Sequence, residues 1–197
     1  MAPREQEAVP EVARTVVDTR LAEDDRPHWT FGTGLGVLSS PGGLRPQPLL
    51  QLQLGYAFSP SLAAEVQLAS SVFPAHVDGR YGSSAEVGAA FLRAQASWTP
   101  LALGGFRAGL LAGTGALLFW ASGNATRPGL EGTVEAAIAW LLSAGLNASL
   151  RVSEAIRVQL IGAVGLCVPQ LGVELVDEAR ATFGRPVIDA VLRLEFQ

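Results

Sequence analysis

Lysine is missing from this chain: all fourteen basic residues are arginine. That usage is a mark of codon composition, and the net charge of −4 leaves no basic surplus to attract nucleic acid. A single cysteine, Cys167, excludes an intrachain disulfide or a cysteine metal cluster. Methionine occurs once, as Met1, and histidine twice, as His28 and His76. Charge is scarce at 16%, against 49% hydrophobic residues and a mean hydropathy of +0.30. Such a chain is too apolar to be disordered and sparsely charged for a soluble protein. Yet no run reaches the ~18 apolar residues that a membrane helix needs. The nearest, Ala108 to Ala121, is too short and is broken by Gly109, Gly113 and Gly115. The hydrophobicity must be housed in another way.

The beginning of the chain lacks the pattern of a signal peptide, which is a basic start followed by an apolar core. We expect either that a signal has been removed or that this is the C-terminal part of a longer protein. Residues 1–27 are charged and punctuated by proline, and read as a linker or tail. A short helix over 10–22 is the other reading there, opened by Pro10 and carrying Val9, Val12, Val16 and Leu21 on an uneven apolar side. Residues 28–197 read as one domain.

What the chain does have is period two. From Thr133 to Arg151, one parity holds Val134, Ala136, Ile138, Trp140, Leu142, Ala144, Leu146, Ala148 and Leu150. The other holds Thr133, Glu135, Ala137, Ala139, Leu141, Ser143, Gly145, Asn147, Ser149 and Arg151. Alternation sorts these onto opposite faces of a strand. The stripe is longer than an ordinary soluble strand and suits one that crosses a membrane and continues past it, since about 9–11 tilted residues span a bilayer.

The same alternation predicts eight strands: Trp29–Leu38, Pro48–Phe58, Leu62–Phe73, Val87–Trp98, Phe106–Trp120, Thr133–Arg151, Ile156–Val168 and Val187–Phe196. Alanine-rich stretches have helical propensity, but the period of two persists throughout. Short links are expected at Ser59–Ser61, Thr99–Gly105 and Ser153–Ala155, and long ones at Ser39–Gln47, Pro74–Glu86, Ala121–Gly132 and Pro169–Pro186. Short turns on one side and longer loops on the other are the habit of outer-membrane barrels, and an even strand number leaves both termini on the periplasmic, short-turn side. Trp29, Phe31, Tyr56, Phe58, Trp98, Phe106 and Phe196 fall at strand ends on that side and on the apolar parity, as an interfacial girdle requires, with Trp120 at the opposite rim.

Parity does not say which face is inside. A soluble lipocalin-like barrel would turn its apolar face inward and present a charged exterior. Here the second face is mostly Gly, Ala, Ser and Gln, which suits the narrow lumen of a small barrel better than a solvated surface. Its expected lumen charges are Glu65, Arg93, Arg107, Glu135, Arg151, Arg157, Asp189, Arg193 and Glu195, of both signs and so able to pair.

This pattern, over roughly residues 28–197, resembles the OmpA/OmpX-like small eight-stranded outer-membrane barrels. The resemblance implies an all-β, antiparallel up-and-down transmembrane barrel of a Gram-negative outer membrane. It also implies that the end Ala190-Val191-Leu192-Arg193-Leu194-Glu195-Phe196-Gln197 is the signal read by the barrel assembly machinery, although Gln197 follows the expected terminal aromatic residue.

Chemistry is sparse. His76 with Asp78 in a loop could begin a metal site or catalytic pair, but a lone loop histidine is mostly solvated surface. Some small barrels of this membrane modify lipids with a lipid-facing His and Ser, but neither histidine falls on a predicted membrane-embedded strand. Asn124-Ala125-Thr126 and Asn147-Ala148-Ser149 match a glycosylation pattern by chance, the second inside a strand. Gly32, Gly34 and Gly36 lack the lysine and helix of a phosphate loop and read as small lumen residues. Glu174, Asp177 and Glu178 could hold a cation weakly, but read as solvated loop charge. No catalytic, cofactor or metal residue is assigned. The expected partners are outer-membrane lipid, the assembly machinery and an external partner at the loops, for a monomer that binds no nucleic acid. A structural or surface-interaction role leads, with a narrow pore and a soluble ligand-binding barrel as alternatives.

Overall fold

A computed structural model describes residues 27–42, 44–78, 84–124, 134–174 and 180–197. The tail expected over 1–27, with its helix over 10–22, lies outside them save for its last residue. The elements are β1 (His28–Ser40), β2 (Leu44–Ser59), β3 (Leu62–Ser71), β4 (Ala75–Asp78), β5 (Ser84–Leu103), β6 (Phe106–Asn124), β7 (Val134–Arg151), β8 (Ile156–Val168), β9 (Leu171–Glu174), β10 (Arg180–Phe183) and β11 (Val187–Phe196).

β1 pairs with β2 on one side and β11 on the other, and β3 pairs with β5, so the antiparallel sheet closes on itself. β4 continues the line of β3 along β5 after a break around Pro74. Eight strand positions therefore surround the lumen, in the order β1, β2, β3/β4, β5, β6, β7, β8, β11. β9 and β10 form a separate hairpin.

The predicted apolar parity faces out all round. Leu35, Leu54, Val66, Leu92, Leu110, Leu146, Leu160 and Leu192 are all exposed, while Gln51, Gln67, Arg93 and Arg193 are buried. This reverses a soluble barrel and has the alternation of a lipid-facing one. At one end lie the start of β1, the end of β11 and the tight turns 60–61, 104–105 and 152–155, here termed the turn end. There Trp29 meets Tyr56 at 5.0 Å between ring centroids, Tyr56 meets Phe58 at 5.0 Å, and Phe31 is opposite Phe196 in register. At the other, loop end, Trp120 lies across Gly88, whose missing side chain makes the space.

Several links are shorter than expected because the strands run on. β1 and β2 are joined by residues 41–43 alone, not by a long Ser39–Gln47 loop. Pro48 read as the start of a strand, yet it sits within β2: its carbonyl accepts from Val72 N at 2.9 Å, so its missing N–H faces β3 and leaves the ladder to β1 intact. Thr99 and Pro100 are absorbed by an irregularity between Trp98 and Leu101, and β5 turns into β6 only at Gly104, whose φ of 59° suits glycine. At about 3.3 Å per residue and a ~40° tilt, the 19 residues of β6 rise roughly 45 Å, far more than the ~25 Å apolar band of such barrels. β5, β6 and β7 thus project beyond the belt as a sheet.

Candidate functional site: the lumen and the loop end

The lumen is divided along its length. Nearest the turn end is a polar vestibule lined by His28, Thr30, Asn147, Ser149, Arg157 and Glu195 among others, enclosing roughly 580 Å³ with its open mouth included. Its floor is an ion-pair network. Arg193 donates from Nη1 and Nη2 to Glu65 Oε2, at 3.1 Å each, and from Nε to Gln159 Oε1 at 2.8 Å. Gln95 Nε2 donates to the same Glu65 oxygen at 3.0 Å. One layer further in, Arg93 grips Asp189 through two hydrogen bonds of 3.0 and 3.1 Å and donates to Gln67 Oε1 at 2.7 Å. Gln51 Nε2 also reaches Gln67 Oε1, at 2.9 Å. Both arginines have no exposed surface. Their charges are balanced by carboxylates on other strands, which is what makes such burial tolerable.

Beyond Arg93 the lumen turns apolar, which the sequence reading did not anticipate. Leu38, Leu49, Val87, Phe91, Leu117, Phe119, Leu141, Cys167 and Val187 form one buried cluster at the loop end. Leu171 and Phe183, from the β9–β10 hairpin, pack into it, and Phe183 meets Phe119 at 5.4 Å. The hairpin is tied down by Thr182 N to Gly42 O at 2.7 Å, Gly184 N to Ser40 Oγ at 3.1 Å and Cys167 N to Gly184 O at 2.7 Å. The strand residues of this cluster all fall within the predicted strands, whereas Leu171 and Phe183 fall in the link expected at Pro169–Pro186. A signal was present: Leu38, Leu49, Val87, Leu117 and Phe119 all lie on the lumen parity.

Of the expected lumen charges, Glu65, Arg93, Arg157, Asp189, Arg193 and Glu195 are buried inside. Arg107 and Arg151 are half-buried at the turn end. Glu135 is a correction: it has the lumen parity but is exposed, because β7 there has risen past the end of β8. His76 lies in β4, opposite Glu86 in register, and not in a loop, while Asp78 ends that strand. Among the described residues no three His, Cys, Asp or Glu side chains are grouped to hold a metal. Asn147 faces the lumen, and Asn124 ends β6, with residues 125–126 outside the described set. Gly32 and Gly34 do face inward: a Cβ at Gly32 would meet Gln53 Oε1 at 2.6 Å, and one at Gly34 would meet Val191 Cγ1 at 2.8 Å. Glu174 ends β9, and Asp177 and Glu178 fall outside the described residues.

No protein-family model and no curated protein sequence matches the chain. Solved structures do. A major outer membrane protein from Thermus thermophilus superposes with a TM-score of 0.61 at 13% identity, over 86% of this chain and 99% of that one. Neisserial surface protein A gives 0.54 at 10% identity, over 86% and 96%. The attachment invasion locus protein of Yersinia pestis gives 0.52 at 10% identity, over 88% and 98%. With the closed antiparallel sheet, the apolar exterior and the polar lumen, these likenesses make the fold that of the OmpA/OmpX-like small eight-stranded outer-membrane β-barrels.

Proposed function

We propose that this protein is an integral outer-membrane barrel whose role is structural or interactive, carried by its projecting loop end and not by transport or catalysis. The observation that supports this is the doubly closed lumen. An ion-paired floor at Arg193 and Arg93 is backed by an apolar plug reaching from Phe91 to Phe183. Neither layer offers a continuous aqueous path, and eight strands leave little lumen to begin with. The exposed Leu and Val belt calls for lipid as the partner of the outer face, which argues against a soluble ligand-binding barrel. In this reading the turn end and both termini are periplasmic, the loop end faces outward, and the final strand ending at Phe196 serves the barrel assembly machinery. The barrel acts as a monomer in this reading, since closure leaves no sheet edge within the membrane to pair with a second copy.

The test is conductance of the purified protein in planar bilayers, expected to show no steady current. Stable, porin-sized steps would overturn the reading in favour of the narrow pore. A tag placed after Gln197 should be reached by antibody only after the outer membrane is permeabilised. Labelling on intact cells would reverse the orientation.

A further inference from the structure

The apolar exterior is not of even height. On β1 the outward residues run from Trp29 through Phe31, Thr33 and Leu35 to Val37 before Ser39 ends the stripe, and on neighbouring β11 they run from Phe196 to Ile188. At about 3.3 Å per residue and a ~40° tilt, each stripe is roughly 20 Å tall. On β6 the outward stripe runs from Phe106 to Trp120, with Thr114 its one hydroxyl. On β7 it runs from Leu150 to Val134, and every member is Leu, Ala, Trp, Ile or Val. By the same rise these two stripes are roughly 35 and 40 Å tall. β1 and β6 are three strands apart in either direction, so the short and tall sides of the barrel stand opposite each other.

The difference lies at the loop end. Trp29, Phe106 and Phe196 belong to the girdle of the turn end, and Leu150 is opposite Phe106 in register. Above Leu118 and Trp140 the tall side continues through Trp120, Ile138, Ala136 and Val134. Val134 and Ile138 are 75% and 69% exposed. Among the described residues, polar groups return on this face at Ser122 and Glu86, which are opposite in register. Trp120, just below them, lies across Gly88, and an amphipathic ring at that level marks a membrane–water boundary.

We propose that the membrane boundary at the loop end is oblique: lipid acyl chains cover Ile138 on β7, whereas on the far side they stop below Ser39 of β1. The stripe is unbroken from the belt upward, so the lipid that covers Leu146 and Leu142 meets no polar side chain of β7 that would stop it short of Ile138. Bilayers accommodate uneven apolar length by local changes of thickness and by tilt of the protein, at modest cost. Ser39 lies ten residues above Trp29, and Ile138 twelve above Leu150. A level membrane around an upright barrel would therefore cover Ser39 before Ile138. The oblique boundary requires the opposite order.

The experiment uses the full chain in dioleoylphosphatidylcholine vesicles, with a bimane label on one introduced cysteine; Cys167 is buried and does not compete. Quenching is compared between nitroxide-bearing acyl chains in the bilayer and iodide in the water. At Ile138→Cys the nitroxide should quench several-fold more strongly than iodide, and at Ser39→Cys the order should reverse. If the Ile138 variant fails to fold, judged by heat-modifiable migration, Leu118→Cys takes its place with the same expectation, since Leu118 lies twelve residues above Phe106. Iodide reaching Ile138 as freely as a label at Glu86→Cys, or hydrocarbon contact equal at Ser39 and Ile138, overturns the proposal. The inference rests on the barrel being embedded in a membrane, and a label at Leu160→Cys in the belt separates the two. Nitroxide quenching at Leu160 with iodide quenching at Ile138 sinks the oblique boundary alone. Iodide quenching at Leu160 sinks the membrane reading itself.

Discussion

Arg93 and Asp189 meet across the full width of the barrel: β5 and β11 are separated by three strands in either direction, and the guanidinium grips both carboxylate oxygens, at 3.0 and 3.1 Å. A planar fork on a carboxylate is the strongest geometry for such a pair, and neither group has an alternative in water. Here it also ties opposite walls of the barrel together at mid-lumen.

Removing one partner should therefore hurt more than removing both. Arg93→Leu leaves Asp189 charged and buried, which costs about 3–5 kcal/mol. The double variant Arg93→Leu with Asp189→Leu should recover much of that loss. Urea unfolding of the four proteins of the cycle, in lipid vesicles, checks this. An additive double variant would mean that the pair contributes no coupling.

Faces should be readable by substitution. Leu160 is 58% exposed on the belt, so Leu160→Arg sets a cation against lipid and costs roughly 2–4 kcal/mol near mid-membrane. Its chain neighbour Gln159 accepts from Arg193 inside. Gln159→Glu keeps the acceptor and adds an opposite charge, so it should be close to neutral. Equal losses in the two variants, by the same unfolding assay, would mean that the faces are reversed.

Two glycines should respond in opposite ways. A Cβ at Gly115 would overlap the carbonyl oxygen of Leu92, whereas one at Gly162 meets nothing within 4 Å. Gly115→Val should destabilise by about 1–3 kcal/mol or more through forced displacement of β5. Gly162→Val adds an apolar side chain to the lipid-facing parity and should be neutral or mildly stabilising. Midpoints of denaturation in the same vesicles decide the order.

Closure itself has a signature. With β1 paired to β11 and β3 to β5, every strand position has two neighbours within the belt. Unravelling has no edge to start from. The protein should migrate faster on SDS gels unheated than boiled, and its far-ultraviolet dichroism in detergent should be β-dominated. A single band independent of heating would contradict a closed barrel.

The strand count, the outward face and the girdle at Trp29, Tyr56 and Phe58 were legible in the chain because side-chain direction in a strand is a local property of period two. Leu160 and Gln159 declare opposite faces wherever their strand happens to sit. The small inward residues likewise announced a narrow lumen, and the mixture of Arg and Glu on that parity announced pairing of some kind.

Which arginine meets which carboxylate was settled only in three dimensions. Arg93 and Asp189 are 96 residues apart, and what brings them to one height is the register of all the ladders between their strands. Strand ends escaped for the related reason that prolines 48 and 100 look like breaks in one dimension and are harmless where no ladder needs their N–H. The apolar plug depended on the hairpin carrying Leu171 and Phe183 folding back into the mouth. The exposure of Glu135 depended on β8 ending six residues short of the start of β7. Parity is dictated by the backbone of each strand alone. Height, closure and the company each buried charge keeps belong to the sheet as a whole.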